Sequence, residues 1–370
     1  MSAKMFMKGN EAIGEAAIRS GVKAYYGYPI TPQNELTAYM AKNMQEKGRV
    51  FIQTESEIAA INAVYGSSCA GFRAMTSSAS TAMSLKQECI SHLAYMEMPA
   101  VIVDIMRGGP GLGNILATQN DYNQAVKGGG TGDYHVIVLA PNSVQEAADL
   151  TRLAFDLADK YRNPAMVLAD GTIGQMVEQV EFPDPIEPED LPEPAWALSG
   201  CRGRAPRKAE PKNSAEDLEN HNIHLQQKYD ACAAAEFRSE SIMTEDAEVV
   251  IVAFGLYSRI AHEMVAELRE EGVKVGLFRP ITLWPFDIQG LRDAVKNAKA
   301  VVVVEGNAGM MCSDIRLYLN GRLPVYFHGR MGGCVLNSDQ VKPKIKGILE
   351  NKNDWRELDG KAGLWKTFES

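Results

Sequence analysis

The sequence of 370 residues is poor in cysteine and contains no C-x-x-C pair. Its six cysteines are Cys69, Cys89, Cys201, Cys232, Cys312 and Cys334. This scattered spacing excludes a recognisable zinc or iron–sulfur ligand set within the chain. We therefore expect any electron-carrying centre to lie on another chain, and we expect a reducing, cytoplasmic location.

Long apolar runs and basic runs are also missing. Every apolar run is far shorter than the roughly 18 residues that a membrane-spanning helix needs, and the N-terminal residues lack the pattern of a signal peptide. The formal net charge is −9 and no basic run opposes it, which argues against nucleic-acid binding. We expect a protein that binds neither membranes nor nucleic acid.

The remaining composition is that of a globular protein, with 45% hydrophobic and 23% charged residues. From residue 10 to about 175, apolar strand-like runs alternate with helical patterns. The run at 143–162 has apolar residues at steps of three and four, which predicts an amphipathic helix. Strands that alternate with helices predict a parallel sheet covered on both faces.

The pattern divides the chain into three parts. We expect an α/β domain over 1–177, a linker rich in proline and acid with a helical excursion over 178–245, and a smaller parallel α/β domain over 246–370. The predicted fold class is therefore α/β, with two parallel-sheet domains.

The segment GYPITPQN, residues 27–34, places Thr31 between two prolines directly after an apolar stretch. Proline fixes its own φ and biases the preceding residue towards extended backbone, so a strand is expected to end here in a stiff loop. The following run, 34–47, has a helical pattern. Thr31 would then lie at the carboxyl end of a strand, where open α/β sheets bind ligands.

Glu57 begins an apolar helical run in the segment FIQTESEIAAINAVYG. One interpretation is structural: Thr54 and Glu57 have the spacing of a capping box, and Glu55 would complement the helix dipole. The other is functional: Glu57 faces a cofactor from the start of this helix and shares a proton with it. The spacing alone leaves both interpretations open.

Arg107 follows an apolar strand pattern and precedes the glycine-rich segment GGPGLGN. The planar fork of an arginine in such a place suits a carboxylate, to which it can donate two parallel hydrogen bonds. A salt bridge to a neighbouring acid is the structural alternative. The glycines do not form a dinucleotide fingerprint, because Pro110 interrupts them and no clear helix follows.

Four segments together resemble the α subunit of thiamine-diphosphate-dependent 2-oxoacid:ferredoxin oxidoreductases. They are YYGYPITPQNE, QTESEIAAINAVYG, IMRGGPGLGN and KGGGTGDY. The sequence is most similar to the branched-chain (2-oxoisovalerate) type of that family. The resemblance is close over the first 180 residues and extends to the last 120 in organisation.

The resemblance implies roles for five residues. Glu57 corresponds to the glutamate that hydrogen-bonds the pyrimidine N1′ of thiamine, where a shared proton favours the imino tautomer of the ring. Thr31 corresponds to the threonine beside the reacting carbon, and Arg107 to the arginine that binds the 2-oxoacid carboxylate. Pro29 and Ile30 would border the cofactor.

The resemblance also implies the fold and the partners. It implies a pyrimidine-binding domain followed by a domain like the C-terminal domain of transketolase. A separate β subunit would hold the diphosphate and Mg²⁺, and γ and iron–sulfur δ subunits would complete the enzyme, with the 4Fe-4S clusters outside this chain. Coenzyme A, ferredoxin and a 2-oxoacid would be its reaction partners.

The segment SASTAMS departs from the family pattern. Relatives usually carry a Pro-Gly or Gly-Pro-Gly turn where this chain has Ser80, Thr81 and Ala82. The loop must then turn without its usual glycine, and substrate preference can differ accordingly.

The sequence thus predicts a subunit of an enzyme that oxidatively decarboxylates a 2-oxoacid, with a branched-chain substrate as first choice. Two alternatives remain. One is the pyrimidine-domain subunit of a non-oxidative thiamine-dependent decarboxylase, although such a subunit would ordinarily be a single short domain. The other is a non-catalytic assembly subunit, in which Glu57 only caps a helix and Arg107 only forms a salt bridge.

Overall fold

The computed structural model describes residues 4–205, 212 and 214–350. The ends of the predicted domains, 1–3 and 351–370, and residues 206–211 and 213 of the predicted linker lie outside this description. The strands are β1 Met5–Lys8, β2 Ala24–Gly27, β3 Val50–Gln53, β4 Ala74–Ser78, β5 Ala100–Met106, β6 Ile137–Leu139, β7 Pro164–Asp170, β8 Val177–Val180, β9 Ser239–Ile242, β10 Val249–Val252, β11 Val275–Pro280, β12 Thr282–Trp284, β13 Ala300–Glu305 and β14 Val325–Gly329. The α-helices are α1 Gly9–Arg19, α2 Asn34–Glu46, α3 Glu57–Cys69, α4 Ser80–Met83, α5 Gln87–Tyr95, α6 Tyr122–Val126, α7 Val144–Tyr161, α8 Gly171–Gln175, α9 Ala215–Ala235, α10 Gly255–Glu270, α11 Ile288–Ala294, α12 Met310–Leu319 and α13 Ser338–Leu349.

A seven-stranded sheet forms the first half of the molecule, in the order β12-β6-β7-β5-β4-β2-β3. All neighbouring strands in it are parallel except β12, which pairs antiparallel with β6. Every residue of β5 and β7 is buried, since helices cover both faces of the sheet at its centre. Parallel strands place their carboxyl ends at one edge, so the loops after β5, β4, β2 and β3 lie side by side.

Helix α7 shows why the sequence pattern was informative. Of its predicted apolar residues, those at 144, 147, 150, 154 and 157 are buried, and Leu153 is half-buried. Ser143 caps its first turn, with its hydroxyl accepting a hydrogen bond from the amide of Glu146 (3.1 Å). The predicted amphipathic helix is therefore confirmed.

A five-stranded sheet, ordered β14-β13-β10-β11-β9, forms the second half. Four of its strands are parallel, and β9 pairs antiparallel with β11 at one edge. The α/β fold with two mainly parallel sheets was predicted and is confirmed. Strands β9 and β12 each add one antiparallel edge strand to these mainly parallel sheets.

The region between the two sheets is more ordered than a linker pattern indicates. Helix α9 buries Leu225, Tyr229 and Cys232, and Tyr229 packs edge-on against Trp284 of β12, with ring centroids 5.6 Å apart. Since β12 lies within the second half of the chain but completes the first sheet, the two halves are interleaved.

Gln119 joins the two halves through four hydrogen bonds. Its amide nitrogen donates to the carbonyl of Gly306 (2.9 Å), and its side-chain oxygen accepts from the amide of Gly306 (2.9 Å). Its side-chain nitrogen donates to the carbonyl of Phe254 (2.9 Å), while Asn307 donates to its backbone carbonyl (2.9 Å). The buried amide is thus fully paired, and it fixes the β13–α12 turn against the first half.

Asp170 lies at the same junction, at the end of β7. Its carboxylate accepts a hydrogen bond from the amide of Leu256 (2.7 Å). Complete burial raises the pKa of this carboxyl to about 7, against the lowering effect of its hydrogen bonds. Gly255 has a φ of +56°, and a Cβ there would lie 2.1 Å from the carboxylate, so the close approach requires glycine.

None of the helices in the described ranges is long and apolar enough to cross a membrane.

Candidate active site

Gln33 holds the loop at 27–34 in place from within. Its side-chain nitrogen donates to the carbonyl of Tyr28 (3.1 Å). Its side-chain oxygen accepts from the hydroxyls of Ser77 on β4 (2.6 Å) and Thr37 on α2 (2.9 Å). Gln33 is completely buried, so the loop is fixed to both elements beneath it.

Thr31 lies half-buried at the tip of this loop. Its hydroxyl accepts a hydrogen bond from Asn34 (3.1 Å), and its backbone carbonyl accepts one from Nη1 of Arg107 (3.0 Å). Pro29 is exposed and Ile30 half-buried on the preceding backbone. The structure therefore brings Thr31 and Arg107 together at the carboxyl edge of the sheet.

Arg107 leaves the end of β5 and is only 6% exposed. Besides the bond to Thr31, its Nη2 donates to the carbonyl of Leu112 (3.1 Å). Its Nε is buried without a hydrogen-bond partner among the described residues, and no ion pair within those ranges includes it. Among the described residues Arg107 therefore forms no salt bridge. Two backbone carbonyls orient its guanidinium group, and some of its N–H donors remain unused.

The glycine segment after Arg107 forms a tight loop. The amide of Asn114 donates to the carbonyl of Gly108 (3.0 Å), and the amide of Gly108 donates to the carbonyl of Leu116 (2.8 Å). Gly113 has a φ of +54°, and a Cβ there would lie 1.6 Å from the Gly108 carbonyl oxygen. Only glycine fits at that turn.

Glu57 is the first residue of α3 and is 7% exposed. The helix is capped by Ser56, whose hydroxyl accepts from the amide of Ala59 (3.2 Å). The capping-box interpretation of Thr54 and Glu57 was wrong, because Ser56 is the cap and the Thr54 hydroxyl donates to a carbonyl, that of Ser56 (2.9 Å) or that of Gly27 (3.3 Å). Within the described ranges, no group donates a hydrogen bond to the Glu57 carboxylate.

Lys86 lies beside Glu57 and was not identified from the sequence. It is 0% exposed, and its Nζ donates to the hydroxyl of Thr76 on β4 (3.1 Å) and to the backbone carbonyl of Glu57 (3.4 Å). Burial lowers the pKa of its ammonium group to about 8, although the charge of Glu57 acts in the opposite direction. No sequence pattern marks this lysine as buried, because lysines are mostly exposed.

Ser80 turns the loop after β4 without a glycine, as the sequence required, and has a φ of +27°. Its amide donates to Asp104 Oδ1 (3.1 Å), and its hydroxyl accepts from the amide of Arg107 (2.8 Å) and bonds Asp121. Burial raises the pKa of Asp121 to about 6, and burial with the neighbouring Asp121 charge raises that of Asp104 well above its ordinary value. This buried carboxyl pair, also missed from the sequence, supports the backbone of Arg107.

Within the described residues no group of three or more His, Cys, Asp or Glu side chains is arranged to hold a metal ion. A cavity of about 220 Å³ lies where the glycine loop after Arg107 meets the second half of the chain. Its lining includes Asn120, Asn307 and Met331.

These contacts define the class of protein. Four adjacent strand ends present Arg107, Ser80, the Thr31 loop and Glu57 along one edge of a parallel sheet, which is the ligand-binding edge of an α/β protein. Glu57 and Arg107 each retain unused hydrogen-bonding capacity at this edge of the sheet.

The chain belongs to the pyruvate flavodoxin/ferredoxin oxidoreductase family, whose thiamine-diphosphate-binding model matches residues 15–244. The model of pyruvate:ferredoxin oxidoreductase core domain II matches residues 247–341. The family resemblance inferred from the sequence is confirmed, and with it the enzyme class, an oxidoreductase of this type.

Curated relatives extend over nearly the whole chain. Ketoisovalerate oxidoreductase subunit VorB of Methanothermobacter marburgensis is 47% identical over 359 residues, which cover 95% of this chain and 100% of the relative. The 2-oxoglutarate synthase subunit KorA of the same organism is 33% identical over 376 residues, which cover 94% of this chain and 100% of the relative.

Solved structures agree with the fold. The 2-oxoglutarate:ferredoxin oxidoreductase from Magnetococcus marinus, with 2-oxoglutarate, coenzyme A and succinyl-CoA bound, matches with a TM-score of 0.81 and 26% identity. The match covers 93% of this chain, which spans 65% of that chain. A split-gene transketolase in an inactive β4 tetramer shares the fold at a TM-score of 0.59 and 16% identity, over 94% of this chain and 99% of that one.

Proposed function

We propose that this chain is the α subunit of an enzyme that converts a branched-chain 2-oxoacid and coenzyme A to an acyl-CoA and CO₂, passing two electrons to ferredoxin. The higher identity to the ketoisovalerate oxidoreductase subunit, 47% against 33% for the 2-oxoglutarate synthase subunit, supports the branched-chain choice. The family match supports the oxidative reaction over a non-oxidative decarboxylase or a purely structural subunit.

The observation that carries the proposal is Glu57, which is 7% exposed at the first residue of α3 and whose carboxylate accepts no hydrogen bond within the described ranges. Such a group suits a proton shared with the N1′ nitrogen of the thiamine pyrimidine ring. Thiamine diphosphate, when bound, supplies the carbon nucleophile that 2-oxoacid decarboxylation requires. Glu57 would hold the ring and keep a proton at N1′.

Thr31 and Arg107 form the substrate side of the proposed site. The unused donors of Arg107 would bind the 2-oxoacid carboxylate, while its bonds to the carbonyls of Thr31 and Leu112 orient the fork. The Thr31 hydroxyl would lie next to the reacting carbonyl. Pro29 and Ile30, on the exposed side of the same loop, would border the cofactor.

We also propose which subunit holds each cofactor. A β subunit would hold the diphosphate and Mg²⁺, and γ and δ subunits would complete the complex, with the 4Fe-4S clusters outside this chain. Within the chain, 1–177 would be the pyrimidine-binding domain, 178–245 the connecting segment and 246–370 the second α/β domain. The relatives of this chain are named as subunits, which supports a multisubunit enzyme.

The test uses the complex purified anaerobically from the native host and assayed with a panel of 2-oxoacids by viologen reduction. Glu57→Gln should lower kcat by about 10²-fold or more, because Gln is close in size but cannot exchange a proton with N1′. Glu55→Gln is the matched control, since Glu55 is exposed two residues earlier. Activity that survives Glu57→Gln nearly intact would overturn the proposed role of Glu57.

The same preparation separates the alternatives. Co-purification with a thiamine-binding subunit, together with bound iron, supports the oxidoreductase. Release of an aldehyde without viologen reduction would establish a non-oxidative decarboxylase. If the chain purifies alone, without thiamine or iron, the oxidoreductase proposal is overturned and the non-catalytic assembly subunit is favoured.

A further inference from the structure

Lys86 is among the largest fully buried side chains of the protein. It lies between α3, β4 and α5, and it forms no salt bridge with any described residue. Burying an ammonium group without a paired carboxylate lowers the stability of the fold. We therefore ask which charged group lies near Lys86 and whether the lysine has a functional role.

Two titratable groups act electrostatically on Lys86. The charge of Glu57 on α3 has the larger effect, followed by the thiol of Cys89 on α5, and both raise the pKa of the ammonium group against the dominant effect of burial. Thr76 supplies the contact from β4 and does not titrate in this range. Glu57 is thus the main anion that the Lys86 charge faces.

The hydrogen bonds give Lys86 a second effect on the same residue. One N–H donates to the Glu57 backbone carbonyl in the first turn of α3, and another to Thr76 on β4. The lysine therefore ties the start of α3, where the Glu57 side chain originates, to the central sheet. The position of Glu57 therefore depends on this lysine.

We propose that Lys86 is a positioning residue for Glu57: its hydrogen bonds fix the turn from which the Glu57 carboxylate reaches the thiamine ring, and its buried ammonium group faces that carboxylate. This inference rests on the role proposed for Glu57. It predicts that the affinity for thiamine diphosphate follows the protonation of Lys86, which the role of Glu57 alone does not require. As the pH rises through about 8, Lys86 loses its charge and thiamine diphosphate should bind more weakly.

The experiment measures the Kd of thiamine diphosphate and kcat on the assembled complex between pH 7 and 9. In Lys86→Met we expect kcat to fall about tenfold at pH 7 and Kd to rise several-fold, with the KM for the 2-oxoacid nearly unchanged. The pH dependence near 8 should disappear in this variant. Lys42→Met is the matched control, because Lys42 is exposed on α2.

A double-mutant cycle separates this inference from the role of Glu57. If Lys86 acts through Glu57, then Lys86→Met should change Kd little further in a Glu57→Gln background. Loss of activity in Glu57→Gln, combined with an unaltered Kd and pH profile in Lys86→Met, would overturn the inference alone. Full activity in Glu57→Gln would overturn the proposed role of Glu57, and with it the inference about Lys86.

The wild-type titration keeps the test decisive even where Lys86→Met does not assemble. A Kd that rises between pH 7 and 9 in the wild type, but not in Glu57→Gln, supports the inference. A Kd that is constant across this range in the wild type would refute it.

Discussion

Ser80 offers the sharpest test of how the site is built, because two small substitutions separate its backbone strain from its hydrogen bonds. At a φ of +27° it occupies a region that residues with a Cβ rarely adopt. Its hydroxyl meanwhile links the amide of Arg107 to the carboxylate of Asp121. Ser80→Ala keeps the strain and loses the hydroxyl, whereas Ser80→Gly loses both.

The magnitudes follow from these two terms. Removing the hydroxyl leaves the Arg107 amide without its partner and takes one hydrogen bond from Asp121, which keeps those from Asn120 (3.3 Å) and Gln124 (3.4 Å). This should cost about 1–3 kcal/mol of unfolding free energy. Glycine at the same position relieves strain worth about 1 kcal/mol. We therefore expect Ser80→Ala to be the least stable of the three proteins and Ser80→Gly to recover about 1 kcal/mol of the loss.

Denaturant unfolding of the chain measures the order, and the KM for the 2-oxoacid measures the effect on Arg107. Both variants should also raise the pKa of Asp121 further, because the Ser80 hydrogen bond is the largest influence that lowers it. Ser84→Ala is the control, since Ser84 is exposed and bonds only the side chain of Gln124 (3.0 Å). A Ser80→Ala protein as stable as the wild type, or more stable than Ser80→Gly, would refute this reasoning.

Two further predictions concern charged groups. Arg107→Lys should raise the KM for the 2-oxoacid about tenfold or more with a smaller effect on kcat, because an ammonium group cannot hold the Leu112 and Thr31 carbonyls and also offer a planar fork; steady-state kinetics of the complex measure this, and an unchanged KM contradicts it. The raised pKa of Asp170, about 7, means that the folded state binds a proton that the unfolded state has lost between about pH 4 and 7. The stabilisation is thus complete below pH 4 and is lost as the pH rises to 7, and Asp170→Asn should flatten that decline by a few kcal/mol. Urea unfolding at pH 5 and pH 7.5 measures how much the free energy of unfolding falls with pH in the wild type and in Asp170→Asn. An equal fall in the two proteins would contradict the raised pKa of Asp170.

Several features of the fold could be predicted because they depend on local patterns. The central strands β5 and β7 are apolar apart from Asp104 and Asp170, and α7 repeats apolar residues at helical spacing, so burial dictates both the element and its position. The prolines on either side of Thr31 likewise predicted where β2 ends and α2 begins.

The features that were missed depend on contacts between distant segments. Strand β12 has three residues and exists because β6 offers an open edge, which no local pattern of Thr282–Trp284 indicates. The capping box was wrong because Ser56 caps α3, while the Thr54 hydroxyl lies near the carbonyls of Ser56 (2.9 Å) and of Gly27 on the neighbouring strand (3.3 Å). Lys86 is buried only because three elements meet around it.

The same dependence on distant segments links the second half of the chain to the substrate side of the site. The carbonyl of Leu112 orients the Arg107 guanidinium, and Leu112 lies in the glycine loop. That loop is held from the second half, where the Asn114 side chain donates to the carbonyl of Gly332 (2.9 Å). A chain that carried only the first sheet would keep β5 and Arg107 but would lose this anchor for the loop. The second α/β unit therefore acts as part of the scaffold that orients the arginine, and not only as a cover for the sheet.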